Sequence, residues 1–152
     1  MVGSDRSFGL QGRCSPMSPI EDAYLLQQFQ LMEEYLFRAK GIAGRTKEDF
    51  LSDPIAIDAA IRELTVLFET SHNIAKHMIA CHGWRNPTSK AETFEVLAEM
   101  DVFPRSLADS FRQASRFRNL VTYQTAIIEE EIVYRILREQ LIDFESFVSH
   151  VA

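Results

Sequence analysis

Apolar residues recur every three to four positions along most of this chain, and that helical period is the feature that most limits its fold. Five stretches carry the period, and capping or turn-forming residues separate them. Only 6 glycines and 5 prolines occur among 152 residues, which is few for a protein of many tight turns. No stretch shows the strict alternation of a half-buried strand. The pattern therefore predicts an all-α protein.

Capping signals predict where these helices begin and end. Ser18 and Glu21 form a capping box at the first helix, and Gly41 is its expected end. The predicted elements, in chain order, are a helix over about 18–40, a single turn over 46–51, a long helix opened by Asp53-Pro54 and closed by Gly83, a short helix over about 90–100, a helix opened by Pro104, and a helix over about 128–149. Short connections between four substantial helices predict an antiparallel, up-down bundle of four to five helices, with Leu64, Phe111 and Phe117 in its core.

The first residues differ from the rest of the chain. Residues 1–16 contain several turn-formers and no helical period, so we predict a disordered leader or a segment added to the natural chain, with Met17 as a candidate natural start. A docking arm is the alternative interpretation. Residues 17–152 are expected to form a single helical domain.

Several functional classes lack the residues that they need. No apolar run reaches 18 residues and no secretory signal is visible, so we expect a cytoplasmic protein without a membrane partner. His77 and Cys81 lie one helical turn apart, but no third ligand follows at a motif spacing, so no metal or other cofactor is expected. The net charge is −6, so any contact with RNA must use a local basic patch.

One such patch is predicted on the fourth long stretch. Between positions 105 and 118, four arginines face a single aspartate. At about 100° per residue, Arg112, Arg116, Asn119 and Tyr123 share one sector of the helix. A basic, then polar, then aromatic stripe of this kind can meet phosphates and stack a base, so Arg112 and Arg116 are candidate RNA-binding residues. The alternative is a solvated face whose arginines pair with the acids of the last helix.

Arg118 occupies a different side of the same helix. It lies beside Phe111, at the edge of the apolar stripe, where an arginine needs a partner or an interface because an unpaired buried charge is costly. It is also about 140° from Tyr123 around the helix axis. The two can converge only if the helix ends between them, or if a second copy of the chain supplies one of them.

Three segments together resemble a known family. They are Glu48 to Pro54, Phe117 to Thr125 and Glu131 to Tyr134. With the helix pattern, they make the chain from Ile20 to Val148 similar to the HEPN superfamily, and within it to the HepT-like proteins of small toxin–antitoxin operons. The resemblance implies a metal-independent ribonuclease with an active site built across a homodimer. It also implies a minimal nucleotidyltransferase as antitoxin partner, which in some systems adenylylates a tyrosine of the toxin.

The family motif is altered at two positions. Family members typically carry arginine, a polar residue, three more residues and then histidine, often with tyrosine two positions further on. Arg118 and Asn119 match the first two, whereas Tyr123 takes the histidine position and Thr125 the tyrosine position. A tyrosine side chain ordinarily titrates with a pKa of about 10, against about 6.5 for histidine, which makes it a poor general base near neutral pH. The resemblance implies that Arg118 stabilises phosphate charge and Asn119 positions the phosphate, while Thr125 keeps a hydroxyl that could be modified.

These observations lead to one functional hypothesis and two alternatives. We expect a HepT-like homodimer that keeps the fold and the partner surface but has weakened or lost ribonuclease activity. The first alternative is an active ribonuclease in which Tyr123 replaces the histidine. The second is a substrate-binding or adaptor subunit of a nucleotidyltransferase, with no role in RNA cleavage.

Overall fold

The structure, a computed structural model, describes residues 19–123 and 129–152. Within those ranges it consists of α-helices and connecting turns: α1 (Pro19–Ala43), α2 (Lys47–Leu51), α3 (Pro54–His82), α4 (Lys90–Glu99), α5 (Arg105–Tyr123) and α6 (Glu130–Val151). This confirms the predicted all-α class. Ser18 and the predicted leader over 1–16 lie outside the described residues, and so does Thr125.

Local hydrogen bonds explain the boundaries of the longest helix. The Asp53 side chain accepts from the backbone N–H groups of Ile55 at 3.0 Å and Ala56 at 3.3 Å, which satisfies two donors that the first turn leaves unpaired. Gly83 ends α3 in the left-handed region at φ 69°, a conformation that glycine adopts without steric cost. Both predicted boundaries of this helix are confirmed.

The predicted end of the first helix is wrong. Gly41 does not terminate α1, which continues to Ala43. The N–H of Gly44 bonds to the carbonyl of Lys40 at 3.0 Å, so the last turn extends beyond Gly41. Arg138 of α6 then donates to the Ala43 carbonyl at 2.7 Å and satisfies an acceptor at the helix end. A contact from a distant helix therefore supports the longer α1.

Aromatic packing around α3 forms the core of the bundle. This helix packs against α1, α4, α5 and α6. The rings of Phe94 and Phe111 stack with centroids 4.1 Å apart, and Phe147 contacts both rings edge-on. Leu64, Phe111 and Phe117 are all buried, as their helical spacing predicts. This packing fixes α4 and α5 side by side, which positions the polar surface described next.

None of the helices meets the requirements of a membrane span. Across residues 19–123 and 129–152, no helix combines the length and the apolar character that crossing a bilayer requires.

Candidate nucleic-acid interface

A surface pocket of about 400 Å³ lies where α5 meets the start of α4. Half of its eight lining residues are basic. The lining comprises Ser89, Lys90 and Ala91 from α4 and its cap with Arg112, Ser115, Arg116, Arg118 and Asn119 from α5. Arg112, Arg116 and Asn119 thus lie together, as their spacing on one helix predicts. Lys90 and Ser89 were not among the predicted site residues.

Arg118 and Lys90 share one carboxylate below this pocket. The Nε of Arg118 donates to Oε2 of Glu69 on α3 at 2.5 Å. The Nζ of Lys90 lies 2.8 Å from Oε1 and 3.0 Å from Oε2 of the same group. Burial alone would raise the pKa of the Glu69 carboxyl, but its bonds and charge interactions with Lys90 and then Arg118 hold that pKa below its usual value. The carboxylate is therefore ionised at neutral pH.

Arg112 of the pocket contacts a different acid from those expected. Arg112 forms an ion pair with Glu95 of α4, and Arg116 is exposed. In the ion pairs described, the acidic partners of the α5 arginines lie on α3 and α4. The alternative that these arginines pair with acids of the last helix is therefore wrong for those pairs. Among the described residues, three of the four cationic side chains of the pocket pair with two carboxylates, Glu69 and Glu95, so the cations outnumber these acids locally on an acidic protein.

A buried histidine ties α3 to the pocket wall. Nε2 of His72 lies 3.2 Å from Oγ1 of Thr93, and the Thr93 hydroxyl donates to the Ser89 carbonyl at 3.0 Å. Because the only hydroxyl hydrogen of Thr93 is already used, His72 must donate through Nε2–H. Burial, followed by the positive charges of Lys90 and Lys76, lowers the pKa of His72 to about 4. His72 is thus a neutral structural donor at pH 7.

The first turn of α4 is fixed by its own cap. Ser89 accepts from the N–H of Glu92 at 3.1 Å, as the sequence Ser89-x-x-Glu92 predicts. The return bond of the capping box is displaced by one residue, since the Glu92 carboxylate accepts from the N–H of Thr88 at 2.8 Å. Hydrogen bonds from Thr88 and then Arg85 lower the pKa of Glu92 to about 2. Ser89 and Lys90 are therefore held in place beside α5.

The continuity of α5 answers a question that the sequence leaves open. The helix runs without interruption to Tyr123, so no helix end lies between this position and Arg118. The two positions remain about 140° apart around the axis of one rod. Of the two routes by which they could converge, only a second copy of the chain remains. Thr125 lies outside the described residues.

Within residues 19–123 and 129–152, the acidic, histidine and cysteine side chains do not converge on a metal centre. In the described part of the chain, no group of three or more histidine, cysteine, aspartate or glutamate side chains is arranged to hold a metal ion.

Comparisons with known proteins agree with one another. A family model described as ribonuclease HepT-like matches residues 32–151. The mRNA nuclease HepT of Shewanella oneidensis is 25% identical over 108 residues, which cover 71% of this chain and 78% of that protein.

Solved structures show the same fold at lower identity. A tri-AMPylated HEPN toxin of Shewanella oneidensis, in complex with an MNT antitoxin, superposes with a TM-score of 0.77 at 21% identity and covers 89% of this chain and 98% of its own. YutE of Bacillus subtilis, a cytosolic protein of unknown function, superposes with a TM-score of 0.74 at 16% identity, covering 86% of this chain and 87% of its own.

Proposed function

Because the chain belongs to the ribonuclease HepT-like family, we propose that it is a homodimeric toxin-family protein that binds RNA at the basic pocket but cleaves it weakly or not at all. The pocket is the observation that supports this proposal most directly. It joins Arg118 and Asn119, the two residues that match the family motif, to the cations Lys90, Arg112 and Arg116. The weak cleavage is inferred from Tyr123 at the histidine position.

RNA binding at this pocket follows from charge and from the position of α4. Lys90, Arg112 and Arg116 can each approach a phosphate oxygen, and Asn119 offers a neutral amide beside them. The pocket also includes the first residues of α4, where backbone N–H groups and the helix dipole favour anions. Since the whole chain carries a charge of −6, binding should be local, weak and sensitive to salt.

A charge-removal experiment tests the location of this binding. We expect the variant Arg112→Gln/Arg116→Gln to bind a labelled single-stranded RNA decamer more weakly than the wild type. Its plot of log K against log salt should be shallower by roughly 1.4, since each lost phosphate contact on a single strand removes about 0.7. Fluorescence anisotropy at several salt concentrations measures both quantities.

The matched control removes two exposed arginines elsewhere. Arg38→Gln on α1 and Arg135→Gln on α6 change the net charge equally but lie outside the pocket. If this control loses as much affinity as the pocket variant, or if the pocket variant binds like the wild type, the proposed location is wrong.

The chemistry within the site is assigned by position in the motif. We assign Arg118 to charge stabilisation on the phosphate and Asn119 to its orientation. Removing a proton from a ribose 2′-hydroxyl requires a base, and a tyrosine side chain, which ordinarily titrates near pH 10, is a poor base near neutral pH. The weak step is therefore the proton transfer, while phosphate binding is retained.

The proposed protein partner is a minimal nucleotidyltransferase. The solved complex of the Shewanella HEPN toxin with an MNT antitoxin supports this assignment, because the two toxin folds superpose over 89% of this chain. Thr125 stands at the sequence position of the family's modified tyrosine and would supply the hydroxyl there. A nucleotidyltransferase gene beside the gene for this chain would support the pairing, and its absence would favour a solitary adaptor.

Homodimerisation gives a further expected result. We place α5 near the two-fold axis, where Leu120, 38% exposed, adds an apolar contact beside Asn119. Light scattering after size exclusion should give about 35 kDa, twice the chain mass of 17.4 kDa. Leu120→Asp should shift the protein toward monomer, whereas Ile142→Asp on the exposed face of α6 should not. A monomer of wild-type protein at micromolar concentration would contradict the proposed assembly.

A further inference from the structure

Glu69 is one of two acids in the described part of the chain that pair with cations of the pocket, and Glu95 is the other. Its carboxylate pairs with Arg118 at 2.5 Å and with Lys90 at 2.8 Å, so a single anion holds two of the four pocket cations. Glu69 itself is not among the residues that line the pocket. The carboxylate thus pulls both side chains toward α3 from below the surface that an RNA phosphate would reach.

The ion pairs of Glu69 with Lys90 and Arg118 persist at neutral pH. The pKa of Glu69 is held below its usual value by Lys90 and Arg118 despite the opposing effect of burial, so its negative charge persists at the pH of the cell. The three charged side chains are 22% to 36% exposed, so the screening of their interactions by water is reduced in part. A phosphate and a carboxylate accept the same kind of charge-assisted N–H bond.

We propose that Glu69 is an internal competitor of RNA phosphate, which lowers the affinity of the pocket by holding Lys90 and Arg118 in an ion pair that a bound phosphate must replace. This inference rests on the proposed function, since it concerns the same pocket. The proposal gives Glu69, a residue of α3, control over the affinity of a pocket whose arginines lie on α5. The affinity of the site is then set by the balance between an internal and an external anion.

Glu69→Gln tests the competition, because the amide nearly preserves the shape and removes the charge. We expect the variant to bind a labelled single-stranded RNA decamer about tenfold more tightly at low salt. The slope of log K against log salt concentration should also be steeper for this variant, by about 0.7 for each cation that becomes available to a phosphate. A purely structural role of Glu69 would give the opposite result, since loosening the pocket weakens binding.

Two further variants complete the design. Glu145→Gln is the matched control: this acid pairs with Lys40 between α6 and α1, so the variant has the same net charge with an unchanged pocket. Glu69→Asp keeps the charge but shortens the side chain by one methylene, and should give a smaller gain because it cannot bridge both cations at the present distances. The gain of Glu69→Gln should be smaller in Glu69→Gln/Arg118→Met, because only Lys90 is then released to bind a phosphate.

An anion that carries phosphates but no nucleobases tests this inference separately from the proposed RNA binding. Titration with tripolyphosphate should show tighter binding to Glu69→Gln than to the wild type, whether or not RNA is the natural ligand. If only tripolyphosphate shows the gain, the competition stands and RNA binding is wrong. If the wild type binds RNA but neither Glu69 variant binds either anion more tightly, or Glu145→Gln gains equally, the competition is wrong and RNA binding stands.

Discussion

Replacing Tyr123 with histidine should raise RNA cleavage by about 10²–10⁴-fold, the usual contribution of a positioned general base. Histidine is substantially unprotonated at pH 7.5 and can accept the proton of a ribose 2′-hydroxyl, whereas a tyrosine hydroxyl keeps its own proton. Arg118 and Asn119 are already present to hold the phosphate. Single-turnover cleavage of labelled RNA, with a chelator present to exclude divalent ions, measures the change.

Companion variants make this result specific to the motif. Tyr123→His/Arg118→Ala should lose the gain, because both groups are needed at one phosphate. Tyr123→Phe should cleave as slowly as the wild type. Robust cleavage by the unmodified protein that Tyr123→Phe leaves unchanged would place the chemistry on other residues. Robust cleavage that Tyr123→Phe abolishes would instead support the alternative of a tyrosine-dependent ribonuclease.

Acid should destabilise the protein through His72, by about 3 kcal/mol in unfolding free energy as the pH falls from about 6.5 to about 4. The folded-state pKa of His72 is lowered to about 4, mainly by burial, while an unfolded histidine titrates near 6.5. Between these values the unfolded chain binds a proton that the folded chain does not, so stability decreases as the pH falls through this range. Below pH 4 both states are protonated, and this contribution changes no further.

A non-titrating substitution isolates this effect from the titration of carboxylates. Glutamine at position 72 can still donate to Thr93 but has no proton to gain. Urea denaturation at pH 7 and pH 4.5 should therefore show a smaller loss of stability for His72→Gln than for the wild type. His150→Gln, at an exposed position near the end of α6, should behave like the wild type. Equal losses in all three proteins would contradict a neutral, buried His72.

The helices were predictable from sequence where their signals are local. Asp53 with Pro54, Ser89 and Gly83 each act within one turn of the helix end, so their residue types identify the boundary. Gly41 was misleading because a glycine ends a helix only where the backbone turns left-handed, and α1 gains a partner for its last carbonyl from Arg138 instead. That contact joins positions 95 residues apart.

The candidate site was predictable only along a single helix. The helical period alone brings Arg112, Arg116 and Asn119 to one face. Glu69 precedes Arg118 by 49 positions and reaches it only because α3 packs beside α5, which no spacing rule within one stretch can indicate. Lys90 likewise reaches Glu69 only because α4 packs against α3.

The acids of the last helix show why a count of charges does not identify ion pairs. Glu145 and Glu131 of α6 contact Lys40 and Lys47, on the side of the bundle that carries α1 and α2. Which face of α6 meets which neighbour depends on packing in three dimensions. The sequence offered pairing with the acids of the last helix as one alternative, whereas the packing gives Arg112 and Arg118 partners on α4 and α3.

The unbroken course of α5 has a genetic consequence. Since Arg118 and Tyr123 lie on different sides of one rod, each catalytic centre of the proposed dimer would draw these two residues from different subunits. The wild-type chain, which lacks the histidine, and the chain Tyr123→His/Arg118→Ala, which lacks the arginine, would then restore cleavage when they are expressed together. Random pairing at equal expression would make about half of the dimers mixed, and each mixed dimer would hold one complete centre, so about one quarter of all centres would be intact.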